Sequence, residues 1–276
     1  MDPAPSAFPA PTPGAGPASA PRPEAPPPGG WSVAAGRGAA WWGEGWRLFA
    51  AAPWTWLAIT AVFTVIMVVL ALIPFVGQFA STLLYPVLGG GVLLGARALD
   101  RGLPLTVTTL FAGFGDRFGP LLLVALLYCA GWLVISVIAL VVLIGGVGLG
   151  ALSALLAADP LQGGLDALSG LGASAFGVIL IVVLLGMPLV MAYWFAPALV
   201  VFRGDEPLAA MKESFVANLR NILPFLVYSL IGIGLAIVAS IPVLLGWLVL
   251  APVFATSVYA SYKDIFGEPG VGGPSA

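Results

Sequence analysis

Residues 120–143 read PLLLVALLYCAGWLVISVIALVVL, a stretch that contains no charged side chain. Polar groups interrupt it only at Tyr128, Cys129 and Ser136, apart from the indole of Trp132. A helix that crosses the hydrocarbon core of a bilayer needs about 20 predominantly apolar residues. The stretch therefore predicts a membrane-spanning helix, because a helix satisfies its own backbone hydrogen bonds where no water is present.

The rest of the chain repeats this pattern. The other apolar segments of spanning length are Trp54–Phe75, Phe79–Leu99, Ser174–Phe202, Ile222–Ile241 and Val243–Tyr262. Over all 276 residues, 60% are hydrophobic and 8% are charged, against about 25% charged residues in ordinary soluble domains. This composition excludes a soluble enzyme of ordinary type. It predicts an all-α fold, a polytopic transmembrane helical bundle of about six spans.

We expect these spans to form three hairpins. Tight turns are predicted at Pro74–Gln78 and Pro242–Gly246, and a longer loop at residues 145–173. Residues 222–262 are barely long enough for two spans and a turn. One span followed by a re-entrant segment therefore stays open as an alternative for this region.

The basic residues orient the predicted bundle. With six spans, all ten Lys and Arg residues fall in the tails or in the segments 97–119 and 203–221, on one side of the membrane. The opposite side receives Asp159 and Asp166 but no basic residue. Lys and Arg in short loops favour the cytoplasmic side. We therefore expect a multi-pass protein of the bacterial inner (plasma) membrane with both termini in the cytoplasm.

Both ends of the chain are rich in Pro, Ala or Gly. Residues 1–30 hold eleven of the 25 prolines, and proline prevents both helix and strand pairing. We predict a disordered Pro/Ala-rich cytoplasmic tail at residues 1–36, a six-helix membrane domain at residues 37–266 and a short disordered tail at residues 267–276. The net charge of −2 excludes the basic footprint of a nucleic-acid partner.

Two segments on the predicted cytoplasmic side have amphipathic patterns. In residues 39–51, Trp42, Trp46 and Phe49 recur at helical spacing. In residues 206–221, an apolar stripe recurs at i, i+3, i+7 and i+11. Its members are Leu208, Met211, Phe215 and Leu219. Both segments are interpreted as cytoplasmic amphipathic helices that lie at the membrane interface.

Prolines suggest an internal repeat. The first helix of each hairpin begins near a proline, at Pro53, Pro120 and Pro224, after a short amphipathic segment. The return helices carry Pro86, Pro197 and Pro252. A parallel repeat of three hairpins and a chance coincidence in a proline-rich chain are both open. Within a span, such prolines act either as structural kinks or as hinges.

Glycines give only weak signals. The Gly91/Gly95 pair suggests close helix packing within or between subunits, since small residues four apart let helices approach. Residues 145–150 (GGVGLG) resemble a phosphate loop superficially. They lack the following lysine and a preceding strand, so nucleotide binding is not expected there.

Residues that carry chemistry are scarce. The chain has no histidine, and Cys129 is its single cysteine, so a Cys–His nucleophile is excluded. Charged residues are absent from the middle of the predicted spans, where proton relays and ion-coupled carriers usually display them. We predict no catalytic, cofactor-binding or metal-ligating residues and no cofactor. The chain is not expected to be an enzyme.

Two short motifs resemble a known group of proteins. They are Ser214-Phe215…Arg220-Asn221…Pro224 and the ending Tyr259-x-x-Tyr262-Lys263-Asp264-Ile265-Phe266. With the segment around Trp46 and Pro53, they resemble uncharacterised proteobacterial polytopic inner-membrane proteins over residues 36–266. The hydropathy layout is also similar to the membrane domain of some glycerophosphodiester phosphodiesterases. The resemblance implies a six-helix inner-membrane bundle and transfers no catalytic residue.

These observations predict an integral inner-membrane protein. The first hypothesis is a non-enzymatic scaffold, assembly or lipid-organising module that works through its cytoplasmic amphipathic helices. The alternative is a transporter or channel for a neutral or amphipathic solute, favoured by the repeat and by the prolines in the return helices. The expected partners are the lipid bilayer and either a second copy of the chain or another membrane protein.

Overall fold

The computed structural model describes residues 26–157, 159–242 and 245–267, and within these ranges it is helical with no strand. The helices are α1 (Arg37–Ala51), α2 (Pro53–Ala71), α3 (Val76–Asp100), α4 (Phe118–Leu156), α5 (Pro160–Trp194), α6 (Ala196–Phe202), α7 (Pro207–Arg220), α8 (Ile222–Ser240) and α9 (Trp247–Phe266). A 3₁₀ helix, Val107–Phe114, lies between α3 and α4. The predicted all-α class is confirmed.

Five helical stretches in the described residues are long and apolar enough to cross a membrane. They are Pro53–Ala71, Val76–Asp100, Phe118–Leu156, Pro160–Phe202 and Ile222–Ser240. The sixth predicted span corresponds to α9, which is more polar because it carries Lys263 and Asp264 and buries Thr256 and Ser257. Apolar length alone thus supports five of the six predicted spans. Val243 and Leu244, at the predicted turn before α9, lie outside the described residues.

The predicted loop at residues 145–173 is wrong, because α4 continues to Leu156 and α5 begins at Pro160. Small residues explain why α4 and α5 continue as helices through the residues predicted to form the loop. A Cβ placed on Gly150 would lie 3.0 Å from the Cα of Gly170, and one on Gly146 would lie 2.5 Å from the Cβ of Ser174. The helix backbones therefore touch, and this packing replaces the loop. With 39 residues, α4 is ~60 Å long, about twice the hydrocarbon core.

The amphipathic segment at residues 39–51 forms α1, but its aromatic face does not lie on lipid. Trp41, Trp42 and Phe49 are buried in the protein core, and only Trp46 is largely exposed. The indole of Trp42 donates a 3.0 Å hydrogen bond to the carbonyl of Tyr228 and stacks on its ring. The interfacial interpretation of this helix is wrong, because α8 and α9 offer the aromatic face a protein partner.

The second amphipathic segment forms α7, and its predicted apolar stripe divides between protein and surface. Met211 is buried, whereas Leu208 and Leu219 are 70% and 45% exposed. The face that packs on the protein consists of small and polar residues instead. These are Ala210, Ser214, Ala217 and Asn218. The outward leucines keep the geometry that an interfacial helix requires.

Part of the predicted N-terminal tail is ordered by contacts with α7, α8 and α9. The backbone N–H of Trp31 donates to the carbonyl of Ile265 over 2.6 Å. Asn221 accepts from the N–H of Val33 and donates to the carbonyl of Trp31. Residues 31–33 of the predicted tail therefore contact the bundle. Residues 1–25 and 268–276, which carry the rest of the tail predictions, lie outside the described residues.

The Gly91/Gly95 pair packs within the chain. A Cβ on Gly91 would collide with the carbonyl of Leu110 in the 3₁₀ helix, and one on Gly95 would lie 2.7 Å from the side chain of Leu105. The glycines of α3 thus let the 3₁₀ helix lie directly against it. Of the two packing alternatives for this pair, the structure shows packing inside one subunit.

A candidate ligand cleft between the helices

The prolines of the three return helices line one cavity of about 500 Å³. Pro86 comes from α3, Pro197 from α6 and Pro252 from α9, and all three are buried. Pro86 and Pro252 lie inside their helices, where a proline removes one backbone hydrogen bond and kinks the helix, whereas Pro197 lies in the first turn of α6. Sequence spacing related these residues only as members of a repeat; the tertiary fold brings them to the wall of one space.

The cavity lies between α2 and α3 on one side and α5, α6 and α9 on the other, and its lining is apolar and aromatic. Its aromatic members are Trp56, Phe63, Tyr85, Tyr193, Trp194, Trp247 and Phe254. The remaining members are small or aliphatic, apart from Thr60. Since none of these side chains is charged, the cavity suits a largely hydrocarbon or aromatic group.

A second cavity of about 300 Å³ has a different lining. Apart from Met67, its residues all carry polar groups: Gln78, Ser81, Thr82, Tyr85, Tyr128 and Tyr193. Tyr85 and Tyr193 belong to both linings. The two cavities are therefore neighbours, one apolar and one polar but uncharged. Together they form what we call the cleft.

The tyrosines of the cleft differ from the structural tyrosines. The hydroxyl of Tyr228 shares a 2.7 Å hydrogen bond with Ser257, and that of Tyr259 donates to Asp100 over 3.3 Å. Within the described part of the chain, the hydroxyls of the three cleft tyrosines have no hydrogen-bond partner. These residues are Tyr85, Tyr128 and Tyr193. They are free to bond to a molecule in the polar cavity.

Trp194, a lining residue of the apolar cavity, carries a donor that is unpaired in the described part of the chain. Its indole nitrogen is buried and has no hydrogen-bond partner among the described residues. Its ring packs edge-on against Phe225, Tyr228 and Phe254, which fixes its orientation. An unpaired buried donor costs about 1–3 kcal/mol.

At the break between α5 and α6, a side chain from α7 forms hydrogen bonds with the backbone groups that the break leaves without a helical partner. Ser214 Oγ accepts the backbone N–H of Phe195 over 2.9 Å and donates to the carbonyl of Met191 over 2.6 Å. The hydroxyl thus replaces the direct helical bond between these two residues. Asn218 also donates to the carbonyl of Met191, over 3.1 Å. Sequence reasoning noted Ser214 only as part of a motif, because nothing in its spacing points to a helix break elsewhere.

A network of six charged side chains joins the ends of α1, α3 and α9. Its acids are Glu44, Asp100 and Asp264, and its bases are Arg37, Arg47 and Lys263. Asp100 holds Arg47 at 2.7 Å and Lys263 at 2.9 Å. Asp100 lies seven residues after Leu93 of the cavity wall, or ~10 Å along α3. The network therefore closes the bundle at the end nearest the apolar cavity.

Within this network, Asp264 is the acceptor for α1. It accepts hydrogen bonds from Arg37 at 2.5 Å and 2.7 Å and from the indole of Trp41 at 2.7 Å. The hydrogen bond to Asp264 raises the pKa of Arg37 above its ordinary value, so this guanidinium stays charged. The aromatic residue and the base on α1 are thus held by one carboxylate.

The remaining residues singled out in the sequence are far from a reactive arrangement. Asp159 caps α5 by accepting from the N–H of Leu161, and Asp166 accepts from Gln162 one turn away. Cys129 is half-buried and unpaired. Among the described residues, no group of three His, Cys, Asp or Glu side chains could hold a metal ion. The glycines at 145–150 lie inside α4.

Comparison with known proteins gives one informative relative. The chain is 27% identical to a probable inner membrane protein of Burkholderia thailandensis, over 86% of this chain and 94% of that protein. No family model matches the chain, and no solved structure matches it. With the apolar helices, this similarity supports an integral membrane protein of an uncharacterised type. The likeness in layout to glycerophosphodiester phosphodiesterase membrane domains stays a prediction.

Proposed function

We propose that this protein is a non-enzymatic inner-membrane module that binds an amphipathic solute in the cleft and moves it along or across the membrane. The observation that carries this proposal is the pairing of an apolar, proline-lined cavity with a polar, uncharged one. An amphipathic molecule needs both environments side by side. Pro86 and Pro252 interrupt the hydrogen bonding of two wall helices, and such interruptions are points at which the space can open and close.

The position of α1 favours the transport hypothesis over the scaffold hypothesis. The scaffold hypothesis relies on cytoplasmic amphipathic helices that present apolar faces to lipid or to partners. Most of the aromatic face of α1 is used inside the protein, which leaves Trp46 of α1 and Leu208 and Leu219 of α7 as exposed apolar side chains of these two helices. A scaffold that assembles with copies of itself through the long α4–α5 pair remains the second hypothesis, supported by the exposed leucines along both helices.

Six spans in three hairpins, with the charge network facing the cytoplasm, are the topology that this proposal adopts. It takes α9 as the sixth span, shielded from lipid by α1 and α8. The contact of Trp31 with Ile265 puts both described ends of the chain on one side of the bundle. The positive-inside rule assigns that side to the cytoplasm, and the name of the Burkholderia protein supports the inner membrane.

Transbilayer movement in proteoliposomes tests the proposal. Fluorescent lipids with anionic, zwitterionic and sugar head groups are each followed by dithionite quenching, with the full chain reconstituted. We expect faster movement of at least one of them than in protein-free vesicles. Ala255→Trp, which fills the apolar cavity, should slow it, while Leu230→Trp on an exposed position of α8 should not. Equal rates with and without protein would overturn the proposal.

A further inference from the structure

The polar cavity is built for a particular kind of head group, and the evidence lies in its hydroxyls. Three tyrosines from three different helices meet there: Tyr85 of α3, Tyr128 of α4 and Tyr193 of α5. The ring centroids of Tyr128 and Tyr193 are 4.3 Å apart, and the ring of Tyr85 packs edge-on against Phe63. The rings of Tyr128 and Tyr193 thus pack on each other, whereas Tyr85 is 52% exposed, and the three hydroxyls have no partner among the described residues.

The other polar groups have the same chemistry. Ser81 and Thr82 donate their protons to the carbonyl of Gln78, so their oxygens face the cavity as acceptors. The amide of Gln78 can both donate and accept. A ligand group that also donates and accepts, such as a hydroxyl, can pair with all of these side chains. A group that only accepts or only donates cannot.

Charge complementarity narrows the ligand further. Neither cavity is lined by an Asp, Glu, Lys or Arg residue in the part of the chain that the structure describes. The basic groups Arg47 and Lys263 of the charge network are already paired with Asp100. A phosphate or ammonium head group in the polar cavity would have no counter-charge among the lining residues, and burying an unpaired charge away from water is costly.

From these observations we infer that the cleft binds a lipid-like molecule with an uncharged head group rich in hydroxyls, such as a sugar or glycerol, on a hydrocarbon tail. The inference rests on the proposed function and names its ligand class. The head group pairs with the tyrosine hydroxyls of the polar cavity. The tail lies in the apolar cavity between Pro86, Pro197 and Pro252.

Photocrosslinking with three probes of identical tail tests this inference. Each probe carries a diazirine in a single alkyl chain, and the head is glucose, phosphate or trimethylammonium. The full chain is reconstituted in phospholipid nanodiscs, irradiated and mapped by mass spectrometry. We expect the glucose probe to label the walls of the apolar cavity on α3, α5 and α9, at least tenfold more than the two charged probes.

Removing hydroxyls gives the matched variants. Tyr85→Phe, Tyr128→Phe and Tyr193→Phe keep the rings, and each should reduce labelling by the glucose probe about threefold, the effect of one neutral hydrogen bond. Tyr228→Phe is the control, because its hydroxyl is bonded to Ser257 outside both cavities. It should leave the labelling unchanged.

The outcomes separate the inference from the function on which it rests. Equal or stronger labelling of the cavity by a charged probe, insensitive to the Tyr→Phe changes, would overturn the head-group assignment and leave the proposed function standing. Labelling of only the lipid-facing surface by all three probes would overturn both. Glucose-probe labelling that all four Tyr→Phe variants leave unchanged would also reject the role of the hydroxyls.

Discussion

The two ends of this bundle are held together by different forces. At the charged end, α1 lies against α8 and α9 through buried tryptophans, backbone-to-backbone contacts at glycines and a network of six charged side chains. At the other end, α4 and α5 touch mainly through small residues, and their leucines are exposed. Near water, at the charged end, the burial of apolar side chains and the formation of ion pairs stabilise the fold. Within lipid, only close packing distinguishes one helix neighbour from another.

The comparison teaches where stability and adaptability lie. Residues at the charged end have several partners from distant parts of the chain, so we expect this end to be rigid. The α4–α5 pair packs most closely on itself, and it is joined to the rest of the bundle through α3 and α7. The cleft lies at the boundary between the two regions, which suits a site that must admit a ligand.

The largest expected effect is at Gly45 in α1. A Cβ there would lie 2.7 Å from the carbonyl of Val253 and 2.9 Å from the backbone nitrogen of Ser257, neither of which can give way easily. Gly45→Val should lower the free energy of unfolding by about 3 kcal/mol. Titration with sodium dodecyl sulfate measures it. Gly43→Val is the control in the same helix, because no atom lies within 4 Å of its Cβ; equal losses would contradict the packing described here.

The next largest loss of stability is expected when the charge of the Asp264 carboxylate is removed. Asp264→Asn keeps the shape but removes the charge that accepts from Arg37 and Trp41. The expected loss is about 2 kcal/mol, typical of hydrogen bonds to a charged group. Asp166→Asn near the far end of α5 disturbs only a bond to Gln162 one turn away and should be nearly neutral. The same unfolding titration compares them, and a larger loss for the Asp166 variant would reverse the contrast between the two ends.

A smaller effect is expected in the α4–α5 pair. A Cβ on Gly150 would lie 3.0 Å from the Cα of Gly170, so Gly150→Leu should push the helices apart at a cost of about 1–2 kcal/mol. Spin labels on the exposed positions 155 and 161 would report a longer separation. Gly148→Leu, in the same helix with open space around it, should leave the distance unchanged. An unchanged distance in both variants would show that this seam does not set the helix spacing.

The smallest effect concerns Asp205, in the segment between α6 and α7. Burial raises the pKa of its carboxyl above the ordinary value, although Arg203 lies 3.3 Å away. Because the folded protein then holds the proton more tightly than the unfolded chain, ionisation of Asp205 reduces stability as the pH rises through that range. Asp205→Asn should raise stability at pH 7 by no more than about 0.5 kcal/mol.

This gain should disappear in acid, where the native carboxyl is protonated as well. Thermal melts of both proteins at pH 7 and below pH 4 provide the measurement. A difference that grows as the pH falls would show that Asp205 is stabilised in its charged form.

Much of the fold could be predicted because membrane segments obey local rules. The length and lack of charge of residues 120–143 predict a spanning helix. Five of the six predicted spans are apolar helices of spanning length in the structure. The prediction of a loop at residues 145–173 was wrong for a physical reason. Glycines in these residues weaken a helix in water, but here Gly150 and Gly170 allow the backbones of α4 and α5 to touch. The sequence of one segment does not show which helix will pack against it.

The candidate site could be predicted far less. Pro86, Pro197 and Pro252 were recognised as corresponding positions, but their meeting around one cavity depends on how three helices pack. The polar cavity is harder still, since Tyr85, Tyr128 and Tyr193 look like ordinary aromatic residues of membrane helices. Only the absence of partners for their hydroxyls among the described residues distinguishes them from Tyr228.

By itself the sequence determined that the chain is helical, that it belongs in a membrane and which ends of its helices carry the charges. These properties follow from the free energy of moving each segment from water into hydrocarbon, which depends on composition and length alone. The tertiary structure decided which faces meet. It buried the aromatic face of α1, packed α4 against α5 and left a cleft whose tyrosine hydroxyls have no partner among the described residues. Contacts between apolar helices depend on the shapes of individual side chains, which a hydropathy profile does not describe.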